Sequence, residues 1–404
     1  MRNRCGSLSR HKYLLAAILL ILVLYNSLPT ATSTISPHTE ESDNRPRYLH
    51  QSPFRANPDY DYEIAVSDAL QKIESDRSVH PGATDTIWQI ILSSKDQRKE
   101  DSYEFEKRNP EWRYQLINAD WADNFITKTL ASIPDLARLY KSYPHYVQRG
   151  DLLRYLVLWY YGGYYADVDV YPAKSIKSCP TLRNMFEDMS IGTSISRNVS
   201  LVVGVEIDEP LASPQKMREW HWARRYGFLQ YNIYAPQRFS PLLREVIVRV
   251  LSHTKHHVES HFWGRYDEMT TLEVTGPGVF TDAILDKLSD TLPSTHPFIE
   301  KSHEAGKKSG DKSSGDLVPS SLTLPAQRVT WAPFHDLTDT VCAEDSDDRS
   351  GRMGGICVLP VNSWGNGQRH SGAEGFNSPH SCINHRFGGT WKPWKQSWKK
   401  YLFG

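Results

Sequence analysis

Arg149-Gly150-Asp151-Leu152-Leu153-Arg154-Tyr155, then Tyr161-Gly162-Gly163-Tyr164-Tyr165-Ala166-Asp167-Val168-Asp169-Val170, is the stretch whose reading decides the fold. Leu152, Tyr155, Leu156 and Trp159 recur at i, i+3, i+4 and i+7, one face of a 3.6-residue period, which predicts a helix over 148–161. Gly162-Gly163 stops it, because glycine takes the left-handed conformations that end helices. An apolar strand follows, and alternation along a strand would point Asp167 and Asp169 the same way with Val168 buried behind them. Two hard oxygen ligands at a strand end suit Mn²⁺ or Mg²⁺, which bridges phosphate oxygens. A D-x-D pair of this kind points to nucleotide-sugar transfer, although two acids at a strand end are also ordinary surface chemistry.

The frame around the acids separates the two readings. Helix, Gly-Gly, aromatic strand and D-x-D together resemble glycosyltransferase family 32, whose pattern S/G-D-x-x-R-Y-x-x-L-x-x-x-G-G-x-Y-x-D-x-D the chain follows nearly position by position. The resemblance implies a GT-A fold, a single Rossmann-like nucleotide-sugar-binding domain of the α/β class. It implies a retaining, metal-dependent mannosyltransferase that uses Mn²⁺ or Mg²⁺ and the donor GDP-mannose. It gives Asp151 and Arg154 catalytic and donor-binding roles on the sugar hydroxyls and donor phosphate. The bland account of that pair is an i,i+3 ion pair on a solvated helix. Asp167 would serve both donor and metal, and Asp169 the metal.

A second informative run is His385-Arg386-Phe387-Gly388-Gly389-Thr390-Trp391-Lys392-Pro393-Trp394. A neutral imidazole is a common transition-metal ligand, and glycines let backbone approach a phosphate that a lysine can neutralise. By resemblance to related retaining enzymes, His385 completes the metal site and Lys392 holds the diphosphate. Ile87-Trp88-Gln89-Ile90 is similar to the family's first strand but lacks its Pro-Lys and His, leaving Gln89 as a donor contact. Val203-Gly204-Val205-Glu206-Ile207-Asp208, Gln230-Tyr231-Asn232 and Thr275-Gly276-Pro277-Gly278-Val279-Phe280 resemble family stretches that line the sugar and acceptor side. Asn232 is taken from them as a further donor-binding residue.

Segments 84–92 and 112–120 read as apolar strands and 121–141 as helical, so strand alternates with helix. That order is the signature of a mostly parallel, helix-covered sheet, whose ligands sit at the strands' carboxyl ends. Residues 61–75 place Ile64, Leu70 and Ile73 on one side of a helix that either packs on the catalytic domain or extends a stem. Residues 301–325 are low-complexity and read as a surface insertion, because strand-like RVTWAP follows.

At 404 residues and 39% hydrophobic, the chain can bury one large core or two modest ones. Its formal net charge is zero, which gives no reason to expect a nucleic-acid partner. Twelve Trp and twenty-one Tyr are many, and carbohydrate clefts use such rings as platforms. The apolar run 13–25 follows Arg2, Arg4, Arg10 and Lys12. We read it as an uncleaved signal anchor over a cleaved signal peptide, for which Ala31-Thr32-Ser33 is the tolerable cut. The expected layout is a cytosolic tail 1–12, a single transmembrane segment 13–28, a stem 29–82 and a catalytic domain 83–404. The catalytic domain would be lumenal in a type II Golgi membrane protein.

Cysteine usage agrees with that side of the membrane. Cys5 lies in the tail, and Cys179, Cys342, Cys357 and Cys382 form an even set with three pairings, of which Cys342–Cys357 is the local one. Asn198-Val199-Ser200 is the single N-glycosylation sequon, with Asn198 as acceptor. Within the family, the ending looks more like the arm that adds the first α-1,6-mannose of the outer chain to N-glycan cores on secretory glycoproteins. The other arm mannosylates inositol phosphoceramide. A silent glycan-binding subunit is the reading from another class, and the family leaves homo- or hetero-oligomerisation open. No G-x-S-x-G elbow, H-E-x-x-H or C-x-x-C pair points elsewhere.

Overall fold

The computed structural model describes residues 52–76, 85–187, 199–260, 266–308, 328–344 and 354–386. All of them lie in the compact unit 45–404. The segment 13–28, Cys5, Asn198 and Lys392 fall outside the described residues. Among the described residues no helix is long and apolar enough to cross a membrane.

The first helix, α1 (Tyr60–Ser75), is capped by Asp59, whose side chain accepts the Tyr62 N–H. Its buried face is Tyr62, Val66 and Leu70, spaced four apart. Ile64 lies two residues off that row and is exposed, so the face differs from the one expected. Glu74 accepts hydrogen bonds from Trp159 Nε1 and from Arg244, which ties α1 to the core. The stretch expected as stem up to residue 82 therefore includes a packed helix of the domain.

β1 (Thr86–Ile90) and β2 (Arg113–Ile117) are parallel, joined through α2 (Glu100–Lys107). The expected helix over 121–141 is broken. It becomes Ala119–Asn124, a π turn Phe125–Thr129 and Leu136–Ser142. Pro134 cannot donate a helical hydrogen bond, and Asp135 takes the left-handed conformation at φ 57°. The decisive helix is α3 (Tyr146–Tyr161), closed by Gly162 at φ 70°. It feeds β3 (Gly163–Ala166), parallel to β1, and then β4 (Val170–Pro172).

The rest of the sheet comes from β5 (Leu201–Asp208), β6 (Tyr226–Phe228) and β7 (Asn232–Ala235). The helix α4 (Pro214–Trp220) lies between β5 and β6. α5 (Pro241–Ser260), α6 (Glu268–Val274) and α7 (Pro277–Thr291) follow, then β8 (Val341–Ala343), β9 (Ile356–Leu359) and β10 (Ile383–His385). The main order is β2-β1-β3-β7-β5-β9-β8, with β6 on β5, and β10 pairs with β4 in a separate ribbon. β2, β1, β3, β5 and β9 run one way, while β7, β6 and β8 run against them. The sheet is thus mixed rather than mostly parallel. β7 enters between β3 and β5 in the reverse direction.

Away from the edge strands β2 and β8 both faces of the sheet are buried, and side chains alternate between two cores. Trp88, Tyr165, Leu201, Val203 and Val358 join the helix-covered core with α3, α5 and α7. Ile87, Tyr164, Val202, Cys357 and Leu359 join a smaller core with Phe105, Trp112 and Trp364. Disulfides join Cys342 to Cys357 across β8 and β9, and Cys179 to Cys382 beside β10.

Two loop readings need correction. Residues 301–308 continue the helix Pro297–Lys308, and the remainder of the 301–325 insertion lies outside the described residues. RVTWAP is no strand: the Val329 and Thr330 N–H groups donate to Ser289 and Ser302 hydroxyls, and Ala332–Phe334 turns as a 3₁₀ helix. Side-chain caps replace a ladder partner there.

Candidate active site

The D-x-D acids sit in a tight turn after β3 and not on the strand. The Val170 N–H donates to the Asp167 carbonyl (3.1 Å), and the Asp167 N–H donates to the Tyr231 carbonyl (2.9 Å). Val168 is half-buried. Strand alternation is therefore not what brings the acids together; closure of the turn is. β10 then lies antiparallel to β4 with His385 opposite Val170, which carries the imidazole to the same place. His385 Nε2 stands 3.1 Å from Asp169 Oδ1, and the Arg386 N–H donates to the Asp169 carbonyl at 3.2 Å. The Tyr231 ring stacks on the imidazole at 4.4 Å and 9°, fixing its plane.

One ligand atom each from Asp167, Asp169 and His385 lies within 4.8 Å of the others. Two carboxylate oxygens and an imidazole nitrogen, none fully buried, are a donor set that fits Mn²⁺, with Mg²⁺ the harder alternative. Burial alone would raise Asp169, but the hydrogen bond and charge of His385 outweigh it and hold that carboxyl below its ordinary range. Burial works to lower His385, yet Asp169 and then Asp167 lift it above the ordinary imidazole value. Asp167 is raised, by burial first, against the pull of Arg154.

Behind the turn, α3 presents Asp151 and Arg154, both buried, so they are not the solvated ion pair of the bland account. Arg154 bridges Asp151 Oδ1 at 2.8 Å and Asp167 Oδ1 at 3.6 Å, and it donates to the Gln230 carbonyl at 2.9 Å. Its guanidinium also lies over the Tyr165 ring, 4.9 Å from the centroid. Asp151 accepts from Thr275 Oγ1 (2.8 Å), and Tyr165 donates to Asp167 Oδ1 (2.5 Å). Burial pushes Asp151 up to about 6 despite Arg154 and Thr275. A charged network this enclosed costs desolvation free energy, and functional sites are where such costs are commonly retained.

Two expected donor contacts are used inside the protein instead. The Gln89 amide donates to the Asp167 carbonyl (3.2 Å), and its carbonyl accepts from Ser102 and from Tyr114 (2.8 Å). It buttresses the turn. Asn232 is fully buried, and its amide donates to Tyr164 at 2.6 Å beneath the sheet, so it offers no surface to a donor. Glu206 approaches the carboxyl end of β5, half-buried, and burial raises it to about 7, with His385 opposing and Asp167 adding. Glu206, Thr275 and Tyr231 lie in stretches the sequence flagged, but their roles were not legible. Strand and turn residues declare their partners only once β7 and α7 are in place.

Residues 43–187 match a family described as the glycosyltransferase sugar-binding region containing DXD motif. That span covers Asp151, Arg154, Asp167 and Asp169. The chain is similar to the "Initiation-specific alpha-1,6-mannosyltransferase" of Candida albicans, 23% identical over 95% of each chain. The protein of that name from Saccharomyces cerevisiae is 23% identical over 70% of this chain and 71% of its own. "Inositol phosphoceramide mannosyltransferase 3" of Schizosaccharomyces pombe is 36% identical over 63 residues, 15% of this chain and 17% of its own.

Proposed function

We propose that this chain is a DXD-type glycosyltransferase of family 32 that transfers mannose from GDP-mannose, with retention, to an N-glycan core. The product would be the first α-1,6-mannose of the outer chain. The observation that carries this reading is the convergence of Asp167, Asp169 and His385 at the end of β3, with the buried Asp151–Arg154 pair directly behind Asp167. Similarity along nearly the whole chain to initiation-specific mannosyltransferases supports the acceptor, whereas the likeness to the inositol phosphoceramide enzyme is confined to a short segment. A GT-A architecture is the proposed fold type, on the resemblance and on acids gathered at a strand's carboxyl end.

Asp167, Asp169 and His385 would hold Mn²⁺, which when bound neutralises charge on the departing diphosphate. Arg154 is held in place from three sides by Asp151, the Gln230 carbonyl and Tyr165, so it presents positive charge at Asp167 without reorganising. Thr275 holds Asp151, and Asp151 holds Arg154 behind Asp167. Lys392 is proposed as a second cation for the diphosphate. The proposed setting is the Golgi membrane, type II, with residues 13–28 as anchor and Asn198 glycosylated in the lumen.

The lumenal fragment incubated with a panel of nucleotide sugars, with and without EDTA, tests the reading. GDP-mannose should be the preferred donor and EDTA should abolish turnover. Preference for a UDP-sugar, or turnover unaffected by EDTA, overturns it.

A further inference from the structure

Past the carboxyl end of β5 the chain builds a ledge of three rings. Trp220, the last residue of α4, stacks on Trp222 at 5.6 Å and 23°. His370 packs edge-on against both, 5.0 Å from Trp220 and 4.8 Å from Trp222. His221 between the two indoles takes φ 55°, the left-handed reversal that folds Trp222 beneath Trp220. Trp222 is 7% exposed and Trp220 is 39% exposed. A large apolar ring is thus fixed from below and left open above.

The ledge is continuous with the active-site rim. Gln368 Nε2 donates to the Glu206 carbonyl (2.6 Å), and the Asp208 N–H donates to Ser371 Oγ (2.8 Å). The Ser371 N–H donates to Glu209 Oε1 (2.9 Å), whose other oxygen pairs with Lys216 Nζ at 2.7 Å. The loop that carries His370 is therefore stitched to β5 on both sides of Asp208. β5 also carries Glu206, whose carboxyl feels the charges of His385 and Asp167.

We infer that the outer face of Trp220, bordered by His370 and with the Lys216–Glu209 pair beside Trp222, is an acceptor subsite that takes the C–H face of a neutral hexopyranose in the acceptor glycan. It rests on the glycosyl-transfer reading and adds where the acceptor lies. An indole covers the apolar face of a pyranose, and fixed donors and acceptors at its edge meet the equatorial hydroxyls. A single ring with a charged border is far smaller than the ~800 Å² per partner that a stable protein interface buries. A neutral sugar fits this surface better than a protein does.

The test uses the full chain with Trp220→Ala and Trp220→Phe, each checked for unchanged far-UV circular dichroism. A mannose-rich N-glycan core oligosaccharide is the probe. Trp220→Ala should raise the acceptor KM at least tenfold without a matching rise in the donor KM, and Trp220→Phe should stay within threefold of wild type. Saturation-transfer NMR of the oligosaccharide without donor separates this proposal from the transfer reading. If no mannosyl transfer is found but wild type binds the glycan and Trp220→Ala does not, the subsite stands while the assigned reaction falls. Equal acceptor KM and equal glycan binding in wild type and Trp220→Ala overturn it. So does a Trp220→Ala change seen only in self-association by sedimentation.

Discussion

Asp167 and Asp169 are separated by one residue and belong to two differently built halves of the site. Asp167 is bound into the core by Tyr165, Arg154 and the Tyr231 and Gln89 contacts to its backbone. Asp169 faces His385, which comes from 216 residues away on a three-residue strand. That strand lies just past the Cys179–Cys382 bond. The first half is contiguous sequence folded on itself, rigid and charged in a buried place. The second is assembled from distant chain and held by a short ribbon and a covalent clip. The difference predicts that losing a charged side chain of the first half costs mainly stability, while losing a metal ligand of the second costs mainly turnover.

Arg154→Ala should show the largest effect. It strands the buried Asp151 carboxylate, and loss of one partner of such a pair costs about 3–5 kcal/mol. Urea denaturation should show that loss; a midpoint close to wild type would remove the distinction between the halves. Asp169→Asn changes one charge at nearly constant volume in the other half. Turnover should fall at least ~10²-fold, as for loss of a main electrostatic contact. Stability should fall by less than in Arg154→Ala, because His385 and Asp169 keep 14% and 28% of their side chains exposed, against 6% and 1% for Arg154 and Asp151. An unchanged glycan phenotype in cells that carry only that variant would favour a non-catalytic subunit.

The same division decides what could be read from the sequence. The helix stopped by Gly162-Gly163, the strand after it and the Asp151–Arg154 spacing are local, and α3 at Tyr146–Tyr161 lies close to the expected 148–161. Alternation predicts a strand where a turn gathers Asp167 and Asp169, because it cannot see a carbonyl captured by Val170 and Gln89. Only the resemblance points to His385; nothing local predicts that β10 pairs with β4. The reversed β7 was hidden for the same reason, four residues whose direction is set by β3 and β5. Asn232, on that strand, lies beneath the sheet and not at the donor that the resemblance implies.

Replacing both Cys179 and Cys382 by Ser should cost about 2–4 kcal/mol of stability. It should also weaken Mn²⁺ binding, because the strand that carries His385 loses its clip. Equal Mn²⁺ affinity in calorimetric titration would show that β10 is positioned by its hydrogen bonds alone.

The smallest effect concerns pH in the metal-free protein. Glu206 is raised from 4.5 to about 7 in the fold, so the folded state holds its proton more tightly than the unfolded chain. Its contribution to stability is complete below about 4.5 and is lost as pH rises through about 7. With partial exposure discounting the ~1.4 kcal/mol per pKa unit, a fall of ~1–2 kcal/mol is expected. Glu206→Gln should flatten that slope in denaturation at pH 4.5 and 7.5. An unchanged slope would assign it to another group.

The central claim is that a divalent metal held by the Asp169–His385 half is required for transfer. Mn²⁺ titration of wild type and His385→Ala, with GDP-mannose turnover measured in the same samples, tests it most directly. The account predicts at least a tenfold loss of Mn²⁺ affinity together with a collapse of turnover. Equal affinity and equal turnover in the two proteins would contradict it.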